Sequence, residues 1–148
     1  MERQTQDRLE LRSRLSDMAQ LPVWLQGVAS RHVIPEDMEF AMNLCLEEAL
    51  SNVIRHGYAG QEDRSVVVHY RRLRSGLHVF VVEDEAPHFN PLAAPDLPAL
   101  SASGEIRVGG LGIRLLRQFA NGLEYEPMPA GNRLTLTFST ASTGSPRE

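Results

Sequence analysis

At 148 residues the chain is sized for one domain around one buried core, and 42% hydrophobic with 23% charged residues is the composition of an ordinary globular protein. A net charge of -4 disfavours broad nucleic-acid binding, no uninterrupted apolar run approaches the roughly 18 residues of a membrane span, and the polar N-terminus is unlike a secretory signal, so a cytoplasmic protein without a membrane or direct nucleic-acid partner is expected. Cys45 is the only cysteine, which excludes an intramolecular disulfide and a multi-cysteine metal site, and all 15 basic residues are arginines, which excludes a P-loop lysine and Schiff-base chemistry.

Residues 9–15 alternate apolar and polar side chains as a half-buried edge strand does, and residues 15–29 carry apolar side chains at mixed helical spacing. Pro35 followed by Glu36 and Asp37 opens a helix, since proline fits the first turn and carboxylates suit the positive end of the helix dipole; it is predicted to run to about Arg55. Residues 64–73 and 77–82 are rich in β-branched and aromatic side chains and are separated by Ser75-Gly76, which reads as a hairpin turn. Residues 87–110 hold four prolines and little periodicity, the pattern of a long functional loop. Residues 111–119 return to helix, residues 123–125 and 133–138 form a final hairpin around Ala130-Gly131-Asn132, and the tail after Ser139 is expected to fray. No repeat or linker divides residues 1–148, so one domain with a core over about 9–138 is expected.

Two blocks stand out, Glu48-Ala-Leu-Ser-Asn52-Val-Ile-Arg-His56-Gly-Tyr58 and Gly109-Gly-Leu-Gly-Ile113. With each helical residue advancing about 100°, Met42, Leu46, Ala49, Leu50 and Val53 share an apolar face, and Glu48, Asn52 and His56 form a polar stripe beside it, bordering a cleft. A solvated helix flank explains that spacing equally well. His56 has no second histidine at metal-site spacing and reads as a hydrogen-bonding group near the helix end. The glycine block lacks the third glycine of a dinucleotide fingerprint and follows a loop in place of a strand; what it offers is close backbone approach to an anion at a helix N-terminus, although a hinge or tight turn has the same signature.

A third block, Val81-Val-Glu-Asp84-Glu-Ala86-Pro-His-Phe89-Asn90-Pro91, completes an ordered triple. Together the blocks resemble the histidine-kinase-like ATPase superfamily and, within it, the small anti-sigma-factor serine/threonine kinases of bacteria; the resemblance covers residues 9–138. It implies a Bergerat-type α/β fold, a two-layer sandwich with helices on one face of a mixed, mainly antiparallel sheet. It implies ATP and Mg2+ as cofactors, Asn52 as the metal ligand and Glu48 as general base toward a serine or threonine hydroxyl. Asp84 would accept the adenine amino hydrogen, Gly109, Gly110 and Gly112 would line the phosphates with Arg107 a further phosphate contact, and His56, Ala86, Phe89 and Leu111 would complete the site. The partners implied are a sigma factor to be sequestered, an antagonist protein as phosphoacceptor, and a second copy in a homodimer.

One departure bears on activity. The family pattern has glycine two residues after the adenine-binding aspartate, where this chain has Ala86. If that position needs positive φ or close approach to the ring, alanine costs on the order of 1 kcal/mol or more. An active kinase and a non-catalytic partner-switching module of the same fold therefore both stand, while a histidine-phosphorylating sensor fragment is disfavoured because no preceding dimerisation helix with its own phosphoacceptor is seen.

Overall fold

The structure, a computed structural model, describes residues 7–93 and 108–139, with the backbone alone at Ala93 and over 108–113. Strand β1 (Asp7–Arg12) leads through a 3-10 turn (Leu15–Ala19) into helices α1 (Gln20–His32) and α2 (Glu36–Asn52); a π turn (Val53–Gly57) then precedes strands β2 (Ser65–Arg72) and β3 (Leu77–Asp84). After a short 3-10 turn (Pro91–Ala93), helix α3 (Val108–Phe119) leads to strands β4 (Gly122–Met128) and β5 (Gly131–Ser139). The sheet order is β1-β2-β3-β5-β4 and all four pairings are antiparallel, so the mainly antiparallel expectation holds in its strictest form.

Alternation along β2 buries Val66, Val68 and Tyr70, and the same alternation on β3 and β5 buries Phe80, Val82, Leu134, Leu136 and Phe138. Against this surface α1 sets Leu21, Leu25 and Val28, and α2 sets Met42, Cys45, Leu46, Ala49 and Leu50. Each fully buried leucine contributes about 1.5–3 kcal/mol through removal from water, so this two-layer contact is what holds the fold. Phe80 sits at its centre, with the rings of Tyr70 and Phe138 at 5.0 and 5.9 Å and the edge of Trp24 at 6.3 Å. The buried Asp7 carboxylate accepts hydrogen bonds from Arg31 and, at 3.0 Å, from His32 Nε2, fastening the end of α1 to the first residue of the edge strand.

Three boundaries differ from the sequence reading. The first strand stops at Arg12, because the Asp17 carboxylate takes the Arg12 N–H at 2.9 Å and Ser13 turns to bond the Arg64 carbonyl; residues 15–19 are then a 3-10 turn. At the end of α2 the Tyr58 N–H bonds the Val53 carbonyl at 2.8 Å, five residues back. This wider turn breaks the 100° advance assumed for His56, which is exposed and does not continue the stripe. Helix α3 begins at Val108, so Gly109, Gly110 and Gly112 lie within its first turns and not ahead of it. The tail and Arg107 fall outside the described residues.

Candidate functional site

Asp84 ends β3 and pairs in register with Asn132 near the start of β5, both on the buried face of the sheet. The pair lies beneath α2 and α3 at one end of the sandwich. Asp84 Oδ1 accepts the Ala86 N–H and the Asn132 Nδ2–H, both at 2.8 Å; among the described residues Oδ2 accepts none. The Asn132 amide also points at the carbonyls of Pro87 (3.1 Å) and Ala86 (3.3 Å), and its Oδ1 accepts the Phe89 N–H at 2.9 Å and the Tyr125 hydroxyl at 2.5 Å. Burial raises the Asp84 carboxyl above its ordinary value, opposed by the bonds from Asn132 and Ala86. The result is a carboxylate held by one oxygen, with no described residue bonded to the other.

Tyr58 steadies the same corner. Its buried hydroxyl donates to the Ser65 carbonyl and accepts the Glu85 N–H, each at 2.7 Å, tying the chain after α2 to the segment that follows Asp84. Gly131 is required there: a Cβ would stand 1.8 Å from the Asp84 carbonyl oxygen, and φ is 148°.

Asn52 and Val53, at the end of α2, line a small cavity with Asp84, Phe89, Tyr125, Asn132 and Leu116 of α3. Its volume is about 20 Å³, room for a water molecule. Glu48, one turn before Asn52, has a buried Oε2 without a hydrogen-bond partner among the described residues. Its carboxyl is raised, first by burial, with Arg55 and the Asn52 side chain opposing. An orphaned carboxylate oxygen with raised proton affinity is suited to accept a proton from a hydroxyl that reaches it.

A family model described as a histidine kinase-like ATPase domain matches residues 11–138. The chain belongs to this family. Serine/threonine-protein kinase BtrW of Bordetella bronchiseptica is 27% identical over 135 residues, covering 91% of this chain and 94% of that protein. Two structures from Erythrobacter litoralis, the EL346 blue-light activated histidine kinase and its histidine kinase domain, share the fold at TM-scores of 0.59 and 0.56 with 15% identity. This chain spans 43% and 62% of their lengths, and they cover 85% and 82% of it.

In this ATPase domain Asn52, Asp84 and Phe89 meet at one cavity, with Glu48 one helical turn away; His56 is not among the cavity's lining residues. Gly109, Gly110, Leu111 and Gly112 occupy the N-terminal turns of α3, whose Leu116 closes the cavity. Ala86 is buried with a negative φ, and its methyl fills the space over Gly57, whose own Cβ would stand 3.1 Å from it. The backbone strain that alanine would suffer at positive φ is therefore absent. Asn132 and Tyr58 escaped the sequence reading: the first looked like a turn residue beside Gly131, and the second was part of a motif without a role. A larger concavity of about 670 Å³ lies among Arg71, Glu83, Arg133 and Thr135 on the other face of the sheet. No helix among the described residues is long and apolar enough to cross a membrane.

Proposed function

We propose that the chain is an ATP- and Mg2+-dependent serine/threonine protein kinase that phosphorylates a small antagonist protein and, when free of it, sequesters a sigma factor, with a homodimer as the working form. The observation that carries this reading is Glu48 Oε2, buried and unpartnered among the described residues, one turn before Asn52, which lines the cavity. The likeness to BtrW, named as a serine/threonine-protein kinase, supports the same choice of acceptor.

In this reading adenine enters between Phe89 and Tyr125 and gives its amino hydrogen to Asp84 Oδ2, while Asn132 keeps Oδ1 occupied and the carboxylate oriented. The N-terminal turns of α3, whose first backbone N–H groups have no partner within the helix and carry the positive end of its dipole, receive the phosphates. Among the described residues no group of three acidic, histidine or cysteine side chains is placed to hold a metal. Mg2+ fits nonetheless, because it takes few protein ligands and fills its shell with phosphate oxygens and water; Asn52 would supply the carboxamide oxygen. When bound, the ion neutralises charge developing on the phosphates. The acceptor hydroxyl oxygen bonds the γ-phosphorus, the bond from that phosphorus to the bridging oxygen breaks to leave ADP, and the hydroxyl proton passes to Glu48. Incubation with ATP, Mg2+ and a candidate antagonist protein tests the reading: phosphoserine or phosphothreonine on the antagonist supports it, and ATP binding without transfer to any protein favours a non-catalytic module.

A further inference from the structure

The hydrogen bonds around Asp84 run in one direction only. At one end the Phe89 N–H, which can only donate, and the Tyr125 hydroxyl bond to Asn132 Oδ1 at 2.9 and 2.5 Å. On the other side of the same amide the carbonyls of Pro87 and Ala86, which can only accept, stand 3.1 and 3.3 Å from Asn132 Nδ2. Turning that amide over would set its NH2 against the Phe89 N–H and its oxygen against two carbonyls and a carboxylate, so its surroundings fix its orientation. Asn132 therefore presents a donor to Asp84 Oδ1 at 2.8 Å, and the Ala86 N–H presents a second at the same distance. Asp84 and Asn132 are both buried and lie on paired strands in register, so neither side chain has water as an alternative partner along this contact.

Two donors aimed at one point dictate what can stand there. A planar side chain at position 84 must place an acceptor at the Oδ1 position, and the character of its other atom, to which no described residue is bonded, follows from that. In aspartate the other atom is a second acceptor; in an amide of the same shape it is an NH2, a donor only. We infer that Asn132, held in its orientation by Phe89 and Tyr125, is a specificity-determining residue: it fixes the hydrogen-bond polarity of the atom of residue 84 that meets the base. As the chain stands, a purine with an amino group at C6 gives a hydrogen to Asp84 Oδ2, whereas a purine with oxygen at C6 sets a lone pair against the carboxylate. With an amide at position 84 the preference reverses. This rests on the nucleotide site of the kinase reading and adds to it the group that decides which purine is accepted. Asn132 and Tyr125 act through Asp84 and are positioning residues, and all three line the same cavity.

The test is binding alone, with the full chain, one Mg2+ concentration and three nucleotides: ATP, ITP, whose base carries oxygen at C6, and purine riboside triphosphate, which carries hydrogen there. The parent is expected to bind ATP at least about tenfold tighter than purine riboside triphosphate and to bind ITP most weakly, since a missing bond costs less than two acceptors set face to face. Asp84→Asn is expected to invert the ends of the series, with ITP at least about tenfold tighter than ATP. Adding Asn132→Ala to that variant should shrink the inversion to within about threefold, because one of the two donors no longer holds the new amide. ITP no tighter than ATP in Asp84→Asn, or neither nucleotide bound by a variant that unfolds cooperatively, overturns the inference and leaves the kinase reading of an ATP-selective parent standing. An inversion undiminished in the double variant overturns the role of Asn132. If Asp84→Asn fails to fold, the parent series decides: ITP bound as well as purine riboside triphosphate, or better, overturns an acceptor-only atom facing the base. A parent that binds all three alike takes Asp84 away from the base, and the nucleotide site of the kinase reading falls with the inference.

Discussion

Replacing Asn132 by alanine is expected to damage stability and, on the proposed reading, nucleotide binding together, because one carboxamide organises the corner around Asp84. The substitution strands two donors, the Phe89 N–H (2.9 Å) and the Tyr125 hydroxyl (2.5 Å), and frees Asp84 Oδ1 from one of its two bonds. A buried group left without a partner costs about 1–3 kcal/mol. The enlarged cavity, about 20 Å³ before the amide is removed, would admit further water and recover part of this, leaving a net loss of about 3 kcal/mol. With Asp84 no longer fixed, ATP affinity should fall about tenfold or more, equivalent to at least ~1.4 kcal/mol. Asn132→Asp should be worse at neutral pH, because it keeps an acceptor for Phe89 and Tyr125 but sets a second carboxylate against Asp84, whose carboxyl is already raised by burial. Urea unfolding followed by fluorescence of Trp24, the sole tryptophan, whose edge packs on Phe80, reads the first quantity, and nucleotide titration reads the second. A stability change under about 0.5 kcal/mol with unchanged ATP affinity in Asn132→Ala would refute the reasoning.

Ala86→Gly is expected to lower stability by about 1 kcal/mol, through a void over Gly57 and added freedom of the unfolded chain, and to leave ATP affinity within about twofold; tenfold tighter binding in a titration would mean that the methyl crowds the nucleotide. Val33 is a β-branched residue at φ 54° closing α1, with the Ile34 N–H bonded to the Ala29 carbonyl and its own side chain 85% exposed. Val33→Gly should therefore raise stability, by up to about 1 kcal/mol after the entropy of glycine is subtracted, and an unfolding midpoint that falls would count against the strain. His78 is buried beside Tyr70, its Nδ1 2.8 Å from the hydroxyl, and burial, then Arg72 and His32, push its pKa below 6.5. The unfolded chain takes up that proton at higher pH than the folded one, so stability is full above pH 6.5 and falls below it, at up to about 1.4 kcal/mol per pH unit; an equal slope in His78→Gln would remove the assignment.

What was legible in the sequence was what local chemistry dictates. Gly76 at φ 97° closes the β2–β3 hairpin as Ser75-Gly76 promised, and Glu36 and Asp37 stand in the first turn of α2 behind Pro35. The apolar face of that helix was readable as far as Leu50, because an α-helix keeps its period while its hydrogen bonds run four residues back. Past Asn52 the bond from Tyr58 to Val53 changes the period, and nothing in the composition of residues 53–57 signals it, so His56 was carried onto a stripe it does not join. Asn132 was hidden for a different reason. Ala-Gly-Asn carries turn chemistry strong enough to explain all three residues locally, whereas Gly131 is demanded by the Asp84 carbonyl and Asn132 by its carboxylate, contacts made across 47 to 48 residues of chain and visible only once β3 and β5 are paired. The motif-bearing residues of the cavity were legible because their chemistry is written in short blocks; the partners that orient them were not.

The most direct measurement is transfer of label from γ-labelled ATP to a candidate antagonist protein, with the parent chain and Glu48→Gln compared side by side and ATP binding titrated in both. The amide keeps the shape of the side chain and removes its capacity to take a proton. Label on serine or threonine with the parent, equal ATP affinity, and a rate at least about a hundredfold lower in Glu48→Gln is the expected result, within the range for loss of a general base. Equal transfer by the two proteins, or none by a parent chain that binds ATP, would contradict Glu48 as the base of a protein kinase.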